Sequence, residues 1–324
     1  MENYSIKFLA KFGKICVNLA IHKEIFMQRR NFLKNSMALG AVALGSNPLF
    51  ANEILGENMQ NSSNSVPNFT LNNGAKIPIL GYGTWDIRGK DGLRAIENAL
   101  EVGYRHIDSA QYYRNEDIVG EAVRNSGIKR DKIFVTSKLM WGANVGFEGA
   151  KRAVYESLDA LKFDYIDLYL IHAPYGDIKG IWAGFCELVE IGLIKSIGVS
   201  NFSVDLVREL CDEFAIKPVL NQIELHPFKQ QILAQNGLDK LGVATQAYSP
   251  FGSGSSKILK NETLQKIGEK YGKTAAQVIL RWQIQRNIIT IPKTATKSRM
   301  IENISIFDFK LSDEDMREIA NLNR

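Results

Sequence analysis

The sequence predicts a parallel (β/α)8 barrel. Two observations carry this: from Phe69 onward short β-rich runs alternate with longer amphipathic ones, and about eight such pairs fit into roughly 220 residues. An open doubly wound sheet is the alternative. Against it, the first strand run leads into Gly81-Tyr82-Gly83-Thr84-Trp85, not into a Gly-x-Gly-x-x-Gly turn that opens a helix.

The elements follow in order. A hairpin is expected over Phe69 to Leu80, with Asn73-Gly74 at its turn. Strands are expected at Leu80 to Gly83, Arg105 to Ser109, Ile133 to Lys138, Ile166 to His172, Ser196 to Ser200, Val219 to Glu224, Ala244 to Tyr248 and Ile288 to Pro292. Helical stretches between them include Leu93 to Val102, Gly149 to Leu161, Asp205 to Phe214 and Asn261 to Arg286. No internal repeat beyond the βα unit and no second domain is legible, so residues 68–324 read as one barrel.

The chain before the barrel has a different character. Arg29-Arg30-Asn31-Phe32-Leu33-Lys34 precedes a weakly apolar run of 15 residues from Ser36 to Phe50, followed by Ala51. That order matches a bacterial twin-arginine export signal. The run is shorter than the about 20 apolar residues of a membrane span and contains Gly40, Gly45 and Pro48. A cleavable signal over residues 1–51 is therefore expected, with Met27 as an alternative first residue; a chance Arg-Arg pair in a disordered tail is the bland alternative. The Asn/Ser-rich residues 52–67 read as a flexible linker.

Charge follows the same partition. Residues 1–51 hold seven Lys/Arg against two Glu, a surplus that accounts for the whole formal charge of +5. The remaining chain is balanced, so the basic character gives no support to nucleic-acid binding, which wants a basic stripe on the folded domain. Cys16 falls in the signal, and Cys186 and Cys211 fall within helical patterns without close-spaced metal-ligand partners. Both read as buried thiols, and no metal is expected.

In such barrels the reactive groups gather at the C-terminal ends of the strands. Asp108 closes the second strand, Lys138 the third and His172 the fourth, while Tyr113 follows Asp108 in its loop. Singly, each has a dull reading as a cap, a solvated charge, a satisfied core histidine or packing. Together they form a device: an ammonium near a phenol favours its ionised form, a carboxylate keeps the ammonium charged, and a histidine shares the oxygen that the phenol protonates. Such a site protonates a developing alkoxide and requires a hydride donor.

At this point the residues resemble the aldo-keto reductases, NAD(P)H-dependent carbonyl reductases on this barrel. "GYRHIDSAQYYRNE" is similar to the family's Asp-Thr-Ala-x-x-Tyr-x-Asn-Glu stretch and carries its catalytic Asp and Tyr onto Asp108 and Tyr113. "IFVTSKL" carries the Lys onto Lys138, and "IDLYLIH" the His onto His172. "IKSIGVSNF" and "NQIELHP" resemble the segments that hold the nicotinamide carboxamide, here Ser200, Asn201 and Gln222, whose amides offer donor and acceptor. "AYSP" implies that Tyr248 stacks on the nicotinamide, with Ser249 near the phosphates.

In "IPKTATKSRMIEN" the resemblance places Lys293, Thr294 and Arg299 on an adenosine 2′-phosphate and Asn303 on the adenine. Lys and Arg suit a phosphate monoester, so NADP(H) is expected in preference to NAD(H). The implied reaction reduces an aldehyde or ketone, keto sugars included, with Tyr113 as general acid. A cofactor-binding sensor on the same barrel is the alternative; a lyase or isomerase barrel lacks a metal or Schiff-base signature.

The departures concern the substrate. Ser109 replaces the usual Thr, and Ala173 follows His172 where many relatives carry Trp. Trp85 and Trp141 are candidate aromatic walls, and the long C-terminal loop is mostly absent, so an open pocket for a small carbonyl substrate is expected. Export of an enzyme that depends on a cytoplasmic cofactor implies that it crosses folded with NADP(H) bound. The expected location is periplasmic, with the twin-arginine machinery and a possible redox partner for recycling.

Overall fold

A computed structural model describes residues 66–140, 142, 146–253 and 256–324. The export signal with Arg29 and Arg30, Cys16, most of the linker, and Trp141 lie outside the described residues.

A two-stranded antiparallel ribbon, β1 (Asn68–Thr70) and β2 (Lys76–Pro78), precedes eight parallel strands: β3 (Tyr82–Gly83), β4 (His106–Asp108), β5 (Phe134–Leu139), β6 (Ile166–Ile171), β7 (Ile194–Ser200), β8 (Leu220–Glu224), β9 (Ala244–Tyr248) and β10 (Ile289–Thr290). Each pairs with the next in sequence. A parallel bridge between Leu80 and Thr290 joins first to last, with Gly83 N–H donating to Pro292 O at 3.0 Å, and closes the barrel.

The helices that follow are α1 (Gly89–Val102), α2 (Glu116–Asn125), α3 (Phe147–Leu161), α4 (Ile178–Glu190), α5 (Val204–Glu213), α6 (Ile232–Lys240), α7 (Ser256–Leu259), α8 (Glu262–Tyr271), α9 (Ala275–Gln285), α10 (Lys297–Ile304) and α11 (Asp313–Ala320). The stretch expected as one helix from Asn261 to Arg286 is two. Gly272 ends α8 in the left-handed region (φ +63°), and Thr274 opens α9 with a reciprocal capping box to Gln277. Stop and start signals here outrank continuous amphipathicity.

The hairpin also differs in detail. Gly74 N–H donates to Leu71 O, so Asn72 and Asn73 are the central turn residues, and Gly74 follows with φ +84°. This is a three-residue connection with its left-handed position at glycine, not a two-residue Asn-Gly turn. Among the described residues, the Pro67 carbonyl accepts from the Ile79 N–H at 2.9 Å.

The hairpin seals one end of the barrel. Leu71, Ile77 and Ile79 pack with Phe134, Leu168, Val219, Leu220, Ala244 and Ile289, which stand at or near the strand starts. Asn72 Nδ2 ties it to the carbonyls of Pro218 and Gly242. Chemistry is thereby confined to the opposite end.

Strand alternation decides what that end contains. In β4 to β6 the odd residues Ile107, Val135, Tyr169 and Ile171 join the core under the helices, so the even residues face the barrel axis. Leu168 and Leu170 belong to this inward set and pack in the cluster that the hairpin covers. Asp108 and Lys138 belong to the same inward set nearer the carboxyl ends, as do Gln222 and Gln246, which register places side by side.

Candidate active site

Asp108 is the last residue of β4 and Lys138 the fifth of β5, with Asp108 opposite Thr136 in the ladder. Both side chains are buried. Lys138 Nζ forms an ion pair with Asp108 Oδ1, donates to Ser109 O at 2.8 Å and lies 3.4 Å from the Tyr113 hydroxyl. Gln222 Nε2 donates to Asp108 Oδ2 at 2.7 Å and to Gln246 Oε1 at 2.8 Å. Two acceptors converge on that nitrogen, which fixes the orientation of the amide.

Burial pushes the Asp108 carboxyl up, and Lys138 and Gln222 offset part of that rise. Burial opposes the charge on Lys138, but Asp108 and the Tyr113 oxygen outweigh it and hold the ammonium above the usual lysine range. With donors on both Asp108 oxygens, the pair stands as carboxylate and ammonium.

Tyr113 rides on a single 3-10 turn, Gln111–Tyr113, that ends at Arg114 in the left-handed region (φ +54°). The sequence argument expects the ammonium to lower its pKa. Lys138 does act in that direction, but burial is the larger effect and the net shift is upward. Tyr113 is therefore a neutral phenol, poised as a donor. His172 meets it edge to face, with ring centroids 5.8 Å apart. Burial first, then the charge of Lys138, brings His172 down to about 3, so its ring is uncharged at neutral pH.

A cavity of about 1570 Å3 gathers nearly all the expected residues: Asp108, Tyr113 and His172 at one end, then Ser200, Asn201, Gln222, Tyr248 and Ser249. Lys293, Thr294, Arg299 and Asn303 line it beyond β10, while Trp85 and Ala173 line it beside the phenol. Lys138 is absent from the lining, hidden behind Tyr113. Tyr112 and Tyr175, both exposed, also line it and were missed in the sequence. Their signal is there, aromatic residues in loops after strands, but exposed tyrosines in loops are too common to single out.

The amides are more committed than expected. Asn201, at φ +61°, donates through Nδ2 to His172 O (3.2 Å) and Ser200 Oγ (3.1 Å), and its Oδ1 accepts from Tyr248 Oη at 2.9 Å. The hydrogens of Asn201 and Gln222 are thus engaged within the protein, and what is left for a carboxamide is the Gln222 oxygen and the remaining lone pair of Asn201 Oδ1, whose other one accepts from Tyr248. Ser249 is likewise left-handed (φ +49°). With Ser253 (φ +55°), three non-glycine residues that line the cavity lie in that region, a concentration of backbone strain typical of functional sites.

The far end suits a phosphate. Lys293 and Arg299 are exposed and have no carboxylate partner among the described residues. Arg299 stands in the first turn of α10, whose N-cap Thr296 makes no side-chain capping bond; the Arg299 N–H turns back to Thr296 O at 3.0 Å, which leaves the N–H groups of Lys297 and Ser298 uncapped by that side chain. Cations beside an uncapped helix start are the donor set for a phosphate monoester.

The aldo/keto reductase family model matches residues 79–324, most of the chain. The chain belongs to the aldo/keto reductase family. It is 41% identical over 259 residues to the methylglyoxal reductase DkgA of Escherichia coli K12, covering 78% of this chain and 92% of that protein. It is 42% identical over 256 residues to the glyoxal reductase of Bacillus subtilis, with 78% and 92% covered. Among solved structures, an aldo/keto reductase from Brucella melitensis shares 46% identity with a TM-score of 0.76, covering 80% of this chain and all of that one. The Bombyx mori aldo-keto reductase in complex with NADP shares 36% identity with a TM-score of 0.75, over 81% and 94% of the two chains.

Proposed function

We propose that this aldo/keto reductase reduces small aldehydes and ketones, α-oxoaldehydes such as methylglyoxal and glyoxal among them, with Tyr113 as the proton donor. The enzyme is an oxidoreductase and its cofactor is NADP(H). One observation carries the assignment of the donor: a neutral phenol lies 3.4 Å from a buried, charged lysine and opens into the cavity.

When bound, NADPH supplies the hydride to the carbonyl carbon. His172, neutral, and Tyr113 face the carbonyl oxygen together. As charge develops there, Tyr113 passes its proton to the oxygen, and the ammonium of Lys138 stabilises the phenolate left behind. Asp108 keeps that ammonium charged and aimed. Ser200, Asn201 and Gln222 would orient the carboxamide, Tyr248 would cover the ring and Ser249 would serve the phosphates; Lys293, Thr294 and Arg299 would hold the 2′-phosphate and Asn303 the adenine, all of them lining the one cavity.

The test is NADPH consumption by the folded protein with methylglyoxal, glyoxal and a keto sugar, repeated with NADH. Turnover on at least one carbonyl with NADPH is expected. Tight NADPH binding without turnover on any of them would favour the cofactor-binding sensor.

The same reading includes export. Arg29-Arg30-Asn31-Phe32-Leu33-Lys34 and the short apolar run support passage by the twin-arginine route, folded and loaded with cofactor, to the periplasm. A partner able to reduce bound NADP+, or coupled oxidation of a second substrate, then completes the cycle. Cell fractionation tests it: only uncleaved chain in the cytoplasm would reject export.

A further inference from the structure

Tyr113 sits on a loop that is closed by two side chains outside the catalytic set. Ser109 Oγ, one residue after the end of β4, donates to Asn115 Oδ1 at 2.7 Å. Both residues are buried, and the bond joins the two ends of the segment that carries the phenol. The Asn115 amide is used in full on its donor side: Nδ2 donates to Thr84 O at 2.8 Å and Ile87 O at 2.9 Å. Those carbonyls lie on either side of Trp85, on the loop after β3. Ser109 meanwhile gives its carbonyl to Lys138 Nζ at 2.8 Å, the same ammonium that approaches the phenol.

We propose that Asn115 and Ser109 form a clasp that positions Tyr113 against Lys138 and locks the Trp85 loop to the same frame. They are positioning residues: neither lines the cavity. The inference rests on Tyr113 being the proton donor. Its physical basis is geometric. The turn bearing Tyr113 is only three residues long and is followed by a left-handed Arg114, so little of its own backbone bonding fixes the ring. A displacement of about 1 Å at such a group can cost on the order of a hundredfold in rate.

The experiment compares Ser109→Ala, Ser109→Thr, Asn115→Ala and Tyr113→Phe with the parent enzyme, measuring kcat and KM for methylglyoxal, NADPH Kd by fluorescence quenching, and Tm. Ser109→Ala is expected to lower kcat about tenfold while NADPH Kd stays within about twofold. Ser109→Thr restores kcat, and Asn115→Ala, where it folds, loses more than Ser109→Ala. Parent-like kcat in Ser109→Ala alongside an inactive Tyr113→Phe overturns the clasp alone. Loss of cofactor affinity in step with kcat, or failure of threonine to restore turnover, also overturns it by revealing a general loss of structure. An active Tyr113→Phe removes the underlying reading and the clasp together.

Discussion

Lys138 acts on the site through Tyr113 and Asp108 without lining it: its ammonium is fully buried, 3.4 Å from the phenol oxygen and 4.9 Å from the ring centroid, and paired with the Asp108 carboxylate. Its contribution is therefore to the energy of the phenolate, not to contact with a carbonyl compound.

Lys138→Met separates these roles. Removing the ammonium leaves Asp108 as an uncompensated buried carboxylate, a change that costs on the order of 3–5 kcal/mol of stability. Turnover falls by at least about a hundredfold, while NADPH Kd changes less, because Lys138 meets the cofactor wall only indirectly, through Asp108 and its bond to Gln222. Thermal unfolding and a binding titration on the same sample check both parts.

The pH dependence follows from two directions of shift. His172 lies at about 3, so reduction has no acid limb near the ordinary histidine value of about 6.5. Tyr113 is shifted upward, so the phenol remains a donor through neutral pH, and kcat falls only on the alkaline side as it ionises. Carbonyl reduction measured across the pH range checks both the flat acid-to-neutral side and the alkaline fall.

Stability carries the same signature. His106, buried, and His172 are both brought down to about 3, chiefly by burial. Between that value and about 6.5 the unfolded chain binds protons that the folded chain refuses. Their contribution is full above pH about 6.5 and is lost as pH falls toward 3. Tm is expected to decline over that window, with a shallower slope in His172→Gln.

Much of this was legible in the sequence, because barrel strands announce their polar ends. Asp108, Tyr113, Lys138 and His172 stand where strand alternation and a three-residue turn bring them together, and the order of strands follows the order of sequence. Other features were not legible, for physical reasons. The net rise at Tyr113 depends on how deeply the folded chain buries it, and the commitment of the Asn201 and Gln222 hydrogens depends on contacts between strands. The break between α8 and α9 turned on one glycine conformation and one cap.

Cofactor choice is tested at the far end. Arg299→Gln removes a guanidinium with no carboxylate partner among the described residues, so folding is little affected. NADPH Kd should rise about tenfold or more, the scale of a charge-assisted hydrogen bond, while NADH Kd stays unchanged. Equal weakening of both would place Arg299 elsewhere than at the 2′-phosphate.

Packing behind the Tyr113 loop has its own test. Gly120 in α2 lies so close to α3 that an added Cβ would fall 2.0 Å from the carbonyl oxygen of Leu161. Gly120→Ala should cost at least about 1–3 kcal/mol, read as a lower Tm, because a backbone oxygen is the obstacle.

The central claim is that Tyr113 donates the proton. Single-turnover reduction of methylglyoxal by the Tyr113→Phe enzyme, pre-loaded with NADPH to a confirmed stoichiometry, tests it most directly. The account predicts normal loading and a rate of NADPH oxidation lower by about a hundredfold or more. Oxidation at the parent rate would contradict it.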